Sequence, residues 1–203
     1  IYATYNFGAG TLVIGQDYTP LSSMFYSNQV YGDDLGLTGW GAIYESRIAQ
    51  IKLMAGGFEI AFVRPSNARL LKGESEAVDK VLKADTDVLM PKIEVRYHLE
   101  QEKFFADVFG GFLSYKLDDI EMSGVNYGDE TVNSWVAGIG GGLKLDPAYI
   151  RAQAYYAQNA RSFGLDHVNA LGAYIDSAGK LVDEDNFGAH LVAGTMIDKY
   201  TIE

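Results

Sequence analysis

Cysteine is absent from this 203-residue chain, which excludes a disulfide framework, a thiolate metal site and a cysteine nucleophile. Positive charge is scarce. Sixteen Lys and Arg stand against 27 Asp and Glu, for a net charge of −11, so the basic footprint of a nucleic-acid binder is missing. No run of about 18 apolar residues exists, and no transmembrane helix is read. A mean hydropathy near zero leaves membrane-spanning strands open, because these need apolar residues only at alternate positions. The three histidines, His98, His167 and His190, are scattered, and none comes with a G-x-S-x-G elbow or an HExxH helix. GIGGG at Gly138 is followed by no helix, so it is not read as a phosphate loop. LVDEDNFG has too few spaced ligands for an EF-hand. No catalytic residue, metal or cofactor is assigned.

What is present is alternation. In PKIEVRYHLE, from Pro91, the residues Lys92, Glu94, Arg96 and His98 point one way and Ile93, Val95, Tyr97 and Leu99 the other. Side chains on a strand change face at every residue. This is a strand with one ionisable face and one apolar face. In a water-soluble sandwich the ionisable face is outside; in a membrane barrel it is inside.

Tight-turn signals stand at residues 8–10, 56–57, 100–103, 146–147 and 198–199; Gly tolerates the positive φ of short hairpin loops and Asp-Pro starts turns. Successive turns are about 45 to 50 residues apart, with long polar connections at 19–39, 65–89, 118–133 and 161–186 between them. Strands are expected at 2–7, 11–18, 44–55, 58–64, 91–99, 104–117, 134–145, 148–159 and 188–197. Most match the roughly 9 to 11 residues of a tilted membrane-spanning strand. SEAVDKVLKAD, from Ser75, places Val78, Val81 and Leu82 at helical spacing, which predicts a short rim helix, with docking of a partner as the lesser alternative.

The apolar faces are lean in large side chains, as a lipid-facing coat can be and an interlocked core cannot. Aromatics gather near the tight turns: Tyr5, Phe7, Phe58, Tyr97, Phe104, Phe105, Tyr149 and Tyr200. Such clustering fits an interfacial girdle. The expected fold is therefore all-β, an antiparallel transmembrane barrel with short periplasmic turns and long extracellular loops. Its apolar face looks into lipid, and Lys52, Glu59, Lys92, Glu94, Arg96, Asp107, Lys144, Arg151 and Gln153 line water inside. Gly138, Gly140 and Gly142 share the inward face of one strand; there either an in-folded loop rests or the wall simply bends.

The GQDYTPL segment at residues 15–21, the long aromatic and glycine-rich loop after it and the IKLMAGGFEIAFV hairpin at 51–63 resemble a Gram-negative outer-membrane porin. AYIRAQAYYAQNA at 148–160 and AHLVAGTMIDKYTIE at 189–203 resemble strands of the same family. The resemblance implies a general diffusion channel in a Gram-negative outer membrane, a barrel of about sixteen strands, a trimer, and passage of small hydrophilic solutes and ions. It also implies that loop 19–39 folds inward as a constriction, with Asp33 and Asp34 at the eyelet facing wall Arg and Lys. The alternative for that pair is a solvated loop tip. About nine strands are read by the hairpin criteria, too few for such a barrel, so the chain is expected to be a single domain incomplete at both ends.

Outer-membrane lipid and lipopolysaccharide are the expected partners. Acid-rich loops at 128–130 and 182–186 either share divalent cations with lipopolysaccharide phosphates or merely solubilise the loops. The rival reading is a soluble β-sandwich or β-barrel binding module, for instance for carbohydrate. A minor one is an outer-membrane lipase, for which His98 should pair with a serine on a neighbouring strand.

Overall fold

Alternating apolar and polar residues and glycine-marked turns produce strand after strand. The computed structural model describes residues 1–24, 26–27, 42–65, 82–88, 90–164 and 172–203. Its strands are β1 (Tyr2–Asn6), β2 (Thr11–Tyr18), β3 (Arg47–Ala55), β4 (Phe58–Val63), β5 (Leu82–Val88), β6 (Lys92–Glu100), β7 (Phe104–Met122), β8 (Val125–Asn126), β9 (Glu130–Lys144), β10 (Ala148–Gln158), β11 (Tyr174–Ile175), β12 (Leu181–Val182), β13 (Asp185–Ile197) and β14 (Tyr200–Ile202). One sheet runs in the order β1-β2-β3-β4-β6-β7-β9-β10-β13-β14, with β5 and β8 also on β7. Every pairing along that path is antiparallel. Strands β11 and β12 form a separate pair. All nine expected strands are on the path, and β14 continues it.

Two expectations are corrected. The long loop read at 118–133 is largely strand: β7 runs to Met122 and β9 begins at Glu130. The ribbon continues past the rest of the sheet because Leu117 and Ile120 bury their side chains while Lys116 bonds Asp129 at 2.9 Å across it. The helix read from Ser75 fails at its end, since residues 82–85 belong to β5, paired with β7 through Leu82↔Met122 to Val88↔Tyr115. Tertiary pairing overrode a weak helical spacing. The rest of that segment lies outside the described residues.

Register turns alternation into belts. One row reads Ile14, Ile51, Phe62, Ile93, Phe112, Trp135 across β2, β3, β4, β6, β7 and β9. A second reads Phe58, Tyr97, Val108, Ile139, Ala154, Ala189. These side chains are on the exposed face: Ile139 is 64 % and Val108 58 % exposed. The ionisable residues are on the covered face, with Lys92 at 1 % and Glu94 at 0 %. The polarity is inverted relative to a soluble sandwich, which answers the question set by PKIEVRYHLE.

The inner face is not uniformly wet. Toward the long-loop end Phe109, Leu113, Tyr115, Leu117, Val132, Val136, Tyr155 and Ala157 form a dry cluster. Leu21, Met24, Tyr26 and Ile43 from the β2–β3 connection, and Phe163 from a 3-10 turn (Ala160–Phe163), complete it. The inner face thus carries both ionisable residues and a packed apolar cluster. Two aromatics expected in the outer girdle point inward instead. The Phe105 ring lies tilted against Tyr26 with 5.5 Å between ring centroids, and the Tyr149 hydroxyl donates to Glu203 Oε1 at 2.8 Å.

Candidate functional site

The site is the polar half of the inner face with the segment folded against it. Because β6, β7, β9, β10 and β13 are paired in register, His98, Asp107, Gly140, Gln153 and His190 form one cross-strand row. The neighbouring row sets Glu59 beside Arg96.

Asp107 is the hub. Arg96 Nε donates to its Oδ1 at 2.7 Å, His98 Nδ1 lies 2.8 Å from the same oxygen, and the Tyr26 hydroxyl donates to Oδ2. A carboxylate has lone pairs enough for all three, and charge-assisted bonds of this kind are the strong ones. Arg96 also reaches Ser23 Oγ at 3.0 Å and, more distantly, Glu59 Oε1 at 3.5 Å. The β2–β3 connection is tied down elsewhere too. Leu21 N donates to Glu94 Oε2 at 3.2 Å, and Arg151 Nη1 donates to the Tyr26 carbonyl at 3.3 Å.

Lys92 lies between two carboxyls. Its Nζ donates to Glu45 Oε1 and to the Ser162 carbonyl at 2.9 Å, and stands 3.0 Å from Glu94 Oε1. Burial pushes the Glu45 carboxyl up to about 8 against the pull of the Lys92 ammonium. The upward shift favours the neutral form of Glu45, which reduces the negative charge of the buried cluster. That suits a low-dielectric site, where an excess charge is costly.

The remaining expected site residues are placed as follows. Lys52 is buried and meets Asp17 Oδ2 at 3.3 Å and the Tyr18 carbonyl at 2.8 Å. Arg151 stacks over Tyr149 at 4.2 Å. Gln153 is 2 % exposed, with neither amide atom bonded among the described residues. Lys144 stands apart, at the short-turn rim, paired with Glu100 and half exposed. Asp33 and Asp34 lie outside the described residues, as does the loop from 28 to 39; only 19–24 and 26–27 of that loop are seen, on the inner face.

Sequence reasoning missed Tyr26, Glu45 and His190. No periodicity marks a loop residue that folds back onto a wall; the one signal was the glycine run. At Gly140 a Cβ would meet the Tyr26 ring and hydroxyl at 2.4 Å, and at Gly111 one would meet the Phe163 ring at 2.5 Å. Of the two readings of the glycine face, an in-folded loop therefore holds at Gly140, while Gly138 receives the wall residue Phe109. Gly140→Leu is expected to drive Tyr26 off the wall and cost about 1–3 kcal/mol by overpacking; thermal unfolding in detergent measures it. His98 contacts Arg96, Asp107 and Glu100, so the serine pairing expected of a lipase is not formed there among the described residues.

No family model matches the sequence, and no curated protein does. Among solved structures the chain is similar to the outer membrane channel DcaP of Acinetobacter baumannii, with a TM-score of 0.66 and 13 % identity. The match covers 93 % of this chain and 49 % of that one. The fold is that of an outer-membrane channel. This chain spans about half the length of the channel it matches.

Proposed function

We propose that this chain forms part of the wall and the constriction of a water-filled porin channel, passing small hydrophilic solutes and ions by passive diffusion across a Gram-negative outer membrane. One observation carries the proposal: the rows of exposed Ile, Phe, Val and Leu on the outer face back onto buried Lys, Asp and Glu on the inner one. Lipid demands the first arrangement, since spanning strands show apolar side chains outward and polar ones to the lumen.

No bond chemistry is involved. A permeating ion or polar solute exchanges part of its hydration shell for polar groups on the wall, and width and field together set what passes. Residues 19–24 and 26–27 narrow the bore, held by Asp107, Arg96, Arg151 and Glu94. Arg96 and Arg151 are basic groups of the wall, and with acidic groups across the bore they would give the constriction a transverse field that orients dipolar solutes. Asp33 and Asp34 would add to its acidic side. In the membrane the outer belts meet acyl chains, the acid-rich loops face lipopolysaccharide, and three copies associate.

Reconstitution of the full-length protein in planar bilayers tests the reading. Discrete, stepwise conductance increments are expected in potassium chloride. A full-length protein that inserts and gives no steps sinks it.

A further inference from the structure

A cavity of about 450 Å³ lies at the short-turn end, between the turns at 8–10 and 56–57, and its walls include Asn6, Thr11, Met54, Glu59, Arg96 and His98. The carboxylates around it are unequally served. Asp107, just beyond, takes hydrogen bonds from Arg96 and Tyr26 and lies 2.8 Å from His98 Nδ1. Glu59 has one weak contact, Arg96 Nη1 at 3.5 Å from Oε1. Its Oε2 is buried with no hydrogen-bond partner among the described residues, in a residue 9 % exposed.

The single guanidinium is thus shared by two carboxylates and committed to one of them, through a charge-assisted bond at 2.7 Å. Glu59 is left under-compensated, its carboxylate met only by the 3.5 Å contact with Arg96 among the described residues. A buried carboxylate in that condition favours a cation that can donate a hydrogen bond. The cavity is far larger than a bare metal ion needs, and Met54, the register partner of Glu59, gives it an apolar wall. Oxygen-only cation sites with several ligands are not built here: among the described residues no group of three acidic or histidine side chains converges on one point.

We propose that Glu59, which lines this cavity, anchors a subsite for small organic ammonium solutes, the ammonium donating to its carboxylate and a short hydrocarbon body lying against Met54. The subsite rests on the channel reading for its purpose, as a stopping point for cationic solutes at the turn-end mouth beneath the constriction. Neutral and cationic solutes would then differ in residence at that mouth.

Calorimetric titration of detergent-purified full-length protein with n-butylammonium chloride at low salt tests this, with sodium butyrate alongside. Saturable binding of the amine and none of butyrate are expected. Glu59→Gln should weaken the amine about tenfold or more, since it removes the charge on the acceptor. Met54→Lys sets a tethered ammonium opposite Glu59 and should block the site while keeping the carboxylate. It decides the matter if Glu59→Gln does not fold. Native protein that does not bind the amine saturably, or binding unchanged in both variants, overturns the proposal. The titration is made in micelles and needs no conduction. A protein that conducts and ignores the amine loses the subsite alone, whereas one without conductance steps loses the channel reading.

Discussion

Asp107→Ala is expected to lower stability by about 3–5 kcal/mol, the cost of leaving a buried partner charge uncompensated, and to raise single-channel conductance. Asp107 is 1 % exposed and holds Arg96, His98 and Tyr26 at once. Removing it strands the Arg96 guanidinium, whose next carboxylate is Glu59 at 3.5 Å. It also frees the hydroxyl that pins Tyr26 over Gly140. Asp107→Asn keeps the size and one acceptor and should cost less, about 1.5–3 kcal/mol, the value of hydrogen bonds to a charged group. The two readouts separate two roles. Stability is read from the temperature at which the folded band converts in detergent, and constriction from the conductance step. Lower stability with an unchanged step would mean that Tyr26 braces the wall without narrowing the bore.

Ile139→Arg tests the outer face. Ile139 is exposed between Val108 and Ala154 on β7 and β10. In water, replacing an exposed apolar residue alters stability by about 0.5 kcal/mol or less. Against acyl chains the same change costs about 2–4 kcal/mol at the bilayer midplane and about 0–1 near the interface. An apolar belt about 25 Å tall takes some ten residues of tilted strand, which puts the midplane about five residues in from the turn end. Ile139 is at that depth on β9, and Leu143, beside Phe104 and Ile150, is close to the rim. Equilibrium unfolding in phospholipid vesicles should therefore show a large loss for Ile139→Arg and a small one for Leu143→Arg. Equal and small losses would show that this face meets water, and the soluble binding-module reading would regain its place.

How much of this could be read in advance varies with the range of the interaction involved. Strand positions were legible because alternation and turn glycines are local: β2, β4, β6 and β10 lie within one or two residues of their expected bounds. The orientation of PKIEVRYHLE was inferred from the lean apolar faces and from the aromatics gathered near the tight turns, and in the fold its apolar side is the exposed one. The β7–β9 ribbon was misread as loop because its residues are polar on one side and pack through a few apolar ones on the other, a pattern a solvated loop can imitate. The strand β5 was misread because short apolar spacings fit more than one period.

The amino-acid order by itself determined the two-faced strands, the tight turns and the set of ionisable residues that share a face, because each depends on neighbours one to three positions away. Tertiary structure alone decided that Asp107 serves Arg96, His98 and Tyr26, that half of the inner face is dry, and that Glu59 is left short of donors. These follow from contacts between residues as far apart as Tyr26 and Asp107. Which of two carboxylates wins a shared guanidinium is settled by tenths of an ångström in three dimensions, and no spacing along the chain encodes that.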